Sequence, residues 1–151
     1  MLQRRWILNA SAGALLAGAV GAPVAAWAQL QDVNDAINKA GRQRMLSQRM
    51  AKFCLAAMLQ VDAATSTTEI DKARKEFLSA NELLRTAPQA TDRIRQELQL
   101  ADGQWVFFDA ALQRMQTGAN TFRQVSEVFV TSENLLASMD RVTGMYAALA
   151  A

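Results

Sequence analysis

Hydrophobic residues recur every three or four positions in four long runs of this chain, with polar residues between them. This spacing collects the hydrophobic residues on one face of a helix, so each run predicts an amphipathic helix. Strand-like alternation is confined to a brief run at 125–131, which the surrounding helical spacing overrides. Because short turns separate the runs, we predict an all-α fold, an antiparallel up-down-up-down four-helix bundle.

Capping and helix-breaking residues set the expected ends of these helices. Ser66, followed three residues later by Glu69, predicts a capping box at the start of the second helix. Pro88 ends that helix because proline cannot continue the hydrogen-bond ladder. The expected helices are roughly 31–62, 66–87, 91–117 and 122–148.

The last three helices each have a clear hydrophobic stripe, and these stripes predict the core. Gly103 lies inside the third helix but faces away from its stripe. The expected core residues are Ile70, Ala73, Phe77, Ala80, Leu84 and Ala87 in the second helix, Ile94, Leu98, Ala101, Trp105, Phe108, Leu112 and Met115 in the third, and Phe122, Val125, Phe129, Leu136, Met139, Val142, Tyr146 and Leu149 in the fourth.

Residues 1–28 have the pattern of an export signal. Arg4 and Arg5 precede an apolar run rich in alanine and glycine, and 26–28 offer an A-x-A cleavage site. We therefore expect export to the periplasm by the Sec or Tat route, which leaves residues 29–151 as one domain. The alternative is an uncleaved membrane anchor, since the apolar run is just long enough to span a bilayer.

Composition excludes several kinds of chemistry. The signal holds two of the 16 basic residues and none of the 14 acidic ones, so residues 29–151 are electrically balanced and give no reason to expect nucleic-acid binding. The chain has no histidine, which removes the common catalytic triads and most zinc, copper and haem sites. The seven methionines suit core packing better than copper binding, and Cys54 is expected to be a buried, inert thiol. We predict a protein that is not an enzyme and needs no cofactor or metal.

Residues 36–55 carry five basic residues and no acidic one, which sets them apart from the rest of the chain. On a helix, Arg44 lies in the middle of a stripe of small and apolar residues that suits packing against another helix. A second apolar stripe runs along the opposite side, so we expect this helix to be sandwiched. The basic residues are Lys39, Arg42, Arg44, Arg49 and Lys52; the Arg44 stripe is Ile37, Ala40, Gln48, Ala51, Leu55 and Met58; the opposite stripe is Leu46, Met50, Phe53 and Ala57.

An arginine in such a seam needs a partner, because burying an unpaired ion costs several kcal/mol. If the facing helix is the same helix of a second copy, two Arg44 side chains converge, and a small anion between them would relieve their repulsion. Otherwise Arg44 extends to solvent, or it pairs with an acid of another helix such as Asp109 or Glu133. The residues alone leave these alternatives open.

The string INKAGRQRMLSQRMAK, residues 37–52, resembles the signature of the PilJ-type sensory domain and the periplasmic P-box of the NarX/NarQ nitrate and nitrite sensor kinases. The resemblance implies a four-helix bundle that dimerises through its first helix and holds one nitrate at the dimer axis by an arginine from each subunit. That arginine corresponds to Arg44, with supporting cations at Lys39 and Arg49, and Gly41 would permit close helix approach. The sensors carry Ser-Tyr-Arg-Leu where this chain has Ser-Gln-Arg-Met at 47–50, which places it nearer the PilJ side of the family.

Two functions are consistent with this resemblance. The first is a stand-alone exported sensory domain that forms a homodimer through helix 1 and binds nitrate or nitrite. The second is an interaction module that needs no small ligand and docks on a chemoreceptor, pilus or transporter component through the same helix.

Overall fold

The computed structural model describes residue 30, residues 32–116 and residues 121–151 of the protein. These residues form four helices, α1 (Val33–Met58), α2 (Ala63–Thr86), α3 (Asp92–Gln116) and α4 (Phe122–Ala150), and the described part of the chain contains no strand. None of the helices in these ranges combines the length and apolarity needed to cross a membrane. The predicted export signal and the predicted end of α3 at 117–118 lie outside the described residues.

Each helix start has a local chemical cause. The Asp32 side chain accepts a 2.9 Å hydrogen bond from the backbone N–H of Asp35 and caps α1. Thr121 and Gln124 form a capping box at the start of α4. The capping box predicted at Ser66 is wrong, because α2 already begins at Ala63 and Ser66 is buried within it.

The actual cap of α2 is Asp62, whose carboxylate accepts a 3.3 Å hydrogen bond from the N–H of Thr65. Asp62 has a φ of 44°, and Gln60 just before it has a φ of 58°. The left-handed backbone at Gln60 and Asp62 reverses the chain direction within a few residues. The helix α2 therefore starts at Ala63, before the start at Ser66 that the sequence predicted.

Polar pairs between helices establish that neighbouring helices are antiparallel. Between α1 and α4, Arg44 contacts Asp140 while Gln48, further along α1, contacts Glu133, further back on α4. The other neighbouring pairs show the same pattern, in which residue numbers rise along one helix while those of its contacts fall along the other. The contacts are Arg42 with Glu76 and Arg49 with Glu69 between α1 and α2, Arg74 with Asp109 and Asn81 with Asp102 between α2 and α3, and Arg141 with Glu97 and Arg114 with Glu127 between α3 and α4. The predicted antiparallel bundle is confirmed.

The helices are not evenly spaced around the bundle. α1 packs closely on α2 and α4, and α3 packs closely on α4, whereas α2 and α3 stand further apart. Large side chains fill that wider gap: the rings of Phe77 and Trp105 stack with centroids 4.5 Å apart. Every core residue predicted in α2 and α3 is buried.

The face that α4 buries differs from the predicted one. Met139, Val142 and Tyr146 are fully buried as expected, but Phe122 is 88% exposed, and Phe129 and Leu149 are also exposed. The buried stripe instead runs through Val128, Ser132, Leu135 and Ser138, about 100° round the helix from Phe129 and Leu136. Small serines on this stripe let α4 pack closely, and the Ser132 hydroxyl donates to the carbonyl of Phe129, so its burial leaves no unpaired donor.

Candidate functional site

Arg44 lies on the side of α1 that faces α4. Its guanidinium donates a hydrogen bond to the carboxylate of Asp140. Both groups are accessible, with Arg44 41% and Asp140 63% exposed at their side chains. Within a single chain, Arg44 therefore pairs with an acid of another helix, which was one of the alternatives that the sequence left open. That acid is Asp140. The two acids named from the sequence have other partners, since Asp109 pairs with Arg74 and Glu133 accepts from Gln48.

The two apolar stripes predicted for α1 are arranged differently from the expectation. The most buried side of α1 lies between the two stripes and includes the adjoining edge of each. The helices α2 and α4 of the same chain pack against this side. The Arg44 stripe is thus partly covered by α4, with Ala40 and Ala51 buried while Ile37 and Leu55 keep partial exposure. The buried residues of α1 are Ala36, Ala40, Gln43, Leu46, Ser47, Met50, Ala51 and Cys54.

Three other cations of the signature, Lys39, Arg42 and Arg49, lie on the side of α1 that faces α2, away from Arg44. Arg49 pairs with Glu69, and Arg42 pairs with Glu76. Arg44 and Arg49 point about 140° apart on the helix, so no single anion can contact both from one chain. The structure therefore places Arg44 on one side of α1 and Arg42 and Arg49 on another.

A cleft of about 250 Å³ lies between α1 and α2 where these pairs form. The hydrogen bond from Arg42 lowers the pKa of Glu76, and the nearby charges of Arg42, Lys39 and Lys72 add to the effect. The hydrogen bond from Arg49 likewise lowers the pKa of Glu69. The two carboxylates thus offset much of the positive charge of Arg42 and Arg49. The cleft is lined by Arg42, Met45, Leu46, Arg49, Glu69, Lys72, Ala73 and Glu76.

Gly41 leaves space next to the Arg44 side chain. A Cβ atom added to Gly41 would meet the Arg44 Nη2 atom at 4.0 Å, and this is the nearest contact it would make. The glycine therefore brings no bulk of its own between the guanidinium and an approaching group. The close helix approach expected at Gly41 stays a prediction.

Gln43 is a buried polar residue of the same segment that the sequence analysis did not single out. Its side chain is fully buried, and its Nε2 atom donates a 2.8 Å hydrogen bond to the carbonyl oxygen of Phe77 in α2. This bond fixes the register of α1 against α2. A possible signal was its helical position midway between the two apolar stripes, which is where α1 turned out to be most buried.

The sulfur and carboxylate groups of the described residues show no sign of metal or redox chemistry. Cys54 is buried and free, and burial raises its thiol pKa to about 11, which keeps it protonated and unreactive. No group of three or more histidine, cysteine, aspartate or glutamate side chains suited to a metal ion occurs within residues 32–116 and 121–151.

Comparison with known proteins identifies one family. The model of the PilJ family, described as the N-terminal region of type IV pili methyl-accepting chemotaxis transducers, matches residues 25–143. The match spans α1, α2 and α3 completely and most of α4. No curated protein and no solved structure matches the chain.

Proposed function

The chain belongs to the PilJ family of chemotaxis-transducer sensory modules, and from that premise we propose that residues 29–151 form an exported, periplasmic and non-enzymatic sensory domain. In this proposal two copies pair through α1 and hold one small oxyanion between their Arg44 side chains. The resemblance of residues 37–52 to the NarX/NarQ sensors suggests nitrate or nitrite as the anion.

The accessibility of the Arg44 guanidinium is the observation that carries the proposal. Its one acidic partner, Asp140, is itself mostly exposed, and an exposed ion pair contributes only about 0–1 kcal/mol. Such a pair can open when a second guanidinium and an oxyanion approach. Gly41 adds support, because it leaves the space beside Arg44 unfilled.

Exposed apolar side chains near the same side of α1 support pairing with a second copy. Phe129 lies one helical turn before Glu133, and Glu133 contacts Gln48, so Phe129 lies at the level of the turn after Gln48. Phe129 is 60% exposed, and Leu55 in the same region of α1 is only partly buried. A second copy seated along this side would cover them, which favours association.

Lys39 and Arg49 take a secondary role in this proposal. They face the α2 side and lie close to Glu76 and Glu69, so they act on an anion at Arg44 by long-range attraction and not by contact. Salt should weaken this contribution strongly, because both groups are exposed to solvent screening.

The pairing of Arg44 with Asp140 also favours a second candidate function. Since the charge of Arg44 is already met inside one chain, the α1 side could serve as a docking surface for a chemoreceptor, pilus or transporter component with no anion involved. In that case Arg44→Ala would weaken the protein complex, and neither form would bind nitrate.

Calorimetric titration of residues 29–151 with nitrate and nitrite at low ionic strength separates the two functions. We expect one anion per two chains, and we expect Arg44→Ala to abolish binding without loss of helix content. Arg42→Ala is the matched control, because it removes the same charge from the α2 side of the same helix and should retain most of the affinity. Unchanged affinity in a dimeric Arg44→Ala protein would refute the anion site. A folded dimer that releases no heat would favour the docking function.

A further inference from the structure

The outward side of α3 carries a second apolar stripe that no part of the bundle covers. It consists of Gln96, Leu100, Gly103, Phe107 and Ala110, and we refer to it as the outer α3 face. Leu100 is 60% and Phe107 64% exposed, although both are large hydrophobic residues. The stripe repeats the 3-4 spacing of the buried stripe two residues later along the helix, and it therefore points away from the core.

This face lacks the charged residues that normally cover the solvent side of a helix. The stretch 96–113 contains no lysine or arginine, and its three acids all turn towards other helices. Glu97 accepts a 2.6 Å hydrogen bond from Arg141, Asp109 lies 2.7 Å from Arg74, and Asp102 lies 3.6 Å from Arg85. About four turns of exposed helix therefore present only apolar groups and uncharged amides.

The residue order on this face fits a second copy of itself. Leu100 lies three residues before Gly103 and Phe107 four residues after it. A two-fold axis near Gly103 would set Leu100 of one copy against Phe107 of the other, twice, in an antiparallel helix pair. Gly103 is exposed, and a Cβ atom added to it would meet nothing within 4 Å, so two helix backbones can approach closely at that point.

We propose that the outer α3 face is a self-association surface at which α3 helices of two protein copies pack antiparallel around Gly103. Residue order argues for a second copy, because the two large apolar side chains lie on either side of Gly103 and meet each other when the helix is paired with itself. Antiparallel packing also sets the two helix dipoles in the favourable sense. The contact is separate from Arg44, so it stands or falls independently of anion binding.

The position of α3 in the bundle allows the α3 contact and a contact through α1 to form at the same time. The helices follow one another as α2, α1, α4 and α3, which places α3 across the bundle from α1. A pair formed through α1 therefore leaves both outer α3 faces accessible. Two different two-fold contacts on one chain build closed tetramers or open rows of dimers. A single pair of helices makes a small interface, so we expect association only at high local concentration.

Disulfide trapping tests the predicted register. The protein is produced from the complete coding sequence, purified as the cell processes it, and oxidised as an equal mixture of Leu100→Cys and Phe107→Cys chains. We expect the mixed disulfide to form at least several times faster than either disulfide between identical chains. A control mixture of Leu78→Cys and Phe107→Cys, in which Leu78 is 52% exposed on α2, measures random collision. Mixed disulfide no faster than this control, or a majority of identical pairs, would overturn the proposal.

A glycine substitution provides a second test that does not need cysteine. Gly103→Leu should abolish concentration-dependent association through α3 in sedimentation experiments and should not lower the thermal midpoint, because the added side chain meets open space in the single chain. Gly144→Leu is the matched control, since Gly144 is an exposed helical glycine of α4 that also has nothing within 4 Å of an added Cβ atom. Association that is equally strong in both variants and the parent would exclude the outer α3 face as the contact.

Discussion

The hydroxyl of Tyr146 in α4 donates a 2.8 Å hydrogen bond to the carbonyl oxygen of Leu84 in α2. Leu84 belongs to the last turn of α2, where carbonyl groups have no partner within the helix. Tyr146 is fully buried and reaches across the bundle to supply that partner. One side chain thus satisfies a buried helix end and connects two helices that are not neighbours.

Removing this hydrogen bond should cost measurable stability. We expect Tyr146→Phe to lower the free energy of unfolding by about 1–3 kcal/mol, because the Leu84 carbonyl would remain buried without its partner. Urea unfolding followed by circular dichroism measures the change. Tyr146→Leu should cost more, since it also removes part of the ring packing. Equal urea midpoints for Tyr146→Phe and the parent would show that the bond contributes nothing.

Burial of two neutral acids predicts a loss of stability at alkaline pH. Burial raises the pKa of Tyr146 from 10.0 to about 12 and that of Cys54 from 9.0 to about 11. Because the folded state binds these protons more tightly, their contribution is complete below pH 9 and is lost as the pH rises from about 9 to 12. Urea unfolding between pH 8 and pH 11.5 should show the decline. Tyr146→Phe and Cys54→Ala should each reduce the loss of unfolding free energy between pH 8 and pH 11.5. If both variants lose as much unfolding free energy over this range as the parent protein does, the prediction is wrong.

Neutralising Asp140 should make Arg44 a better anion ligand. Asp140→Asn removes the charge that competes for the Arg44 guanidinium but keeps a side chain of similar size. Since an exposed ion pair contributes about 0–1 kcal/mol, we expect nitrate affinity to rise by up to about fivefold, with little change in stability. Titration calorimetry measures the affinity. Glu133→Gln, which alters an acid bound to Gln48 on the same pair of helices, should have a smaller effect. Weaker binding by Asp140→Asn would mean that Asp140 supports the anion site and does not compete with it.

Glycine at position 60 should stabilise the turn between α1 and α2. Gln60 has a φ of 58°, a left-handed conformation that costs a residue with a side chain about 1–2 kcal/mol. We expect Gln60→Gly to raise the unfolding free energy by roughly 0.5–1 kcal/mol, after the extra flexibility that glycine gives the unfolded chain is subtracted. Gln60→Ala keeps the Cβ atom and should show no such gain. A lower midpoint for the glycine variant would indicate that the Gln60 side chain itself holds the turn.

The regular spacing in α2 and α3 was sufficient to predict their buried faces. In each of these helices the longest and most continuous apolar stripe includes a large aromatic residue, Phe77 or Trp105, so one rotation about the helix axis buries more apolar area than any other. α4 was harder because apolar residues surround more of its circumference. Several rotations bury similar apolar area, and close packing at Ser132 and Ser138 selected the one that leaves Phe129 exposed.

The candidate site, too, was predictable from the sequence only in part, and packing decided the rest. The basic segment and its central arginine follow from the sequence, because local charge and a 3.6-residue period need no tertiary information. The partner of Arg44 does not follow, because Asp140 is 96 residues away along the chain and only the packing of α4 on α1 brings it within reach. Packing also placed Arg42 and Arg49 beside Glu76 and Glu69 on the other side of α1.

By itself, the sequence determined that this protein is a bundle of four antiparallel helices with a basic, glycine-containing segment in its first helix. These features depend on local periodicity, turn chemistry and charge, which each stretch of chain specifies alone. Only the tertiary structure decided which side of α1 each cation faces, which acids meet them and which apolar stripes stay exposed. Those outcomes depend on the rotation of each helix about its own axis and on how the helices pack against one another. Many weak contacts distributed over the bundle jointly determine that rotation.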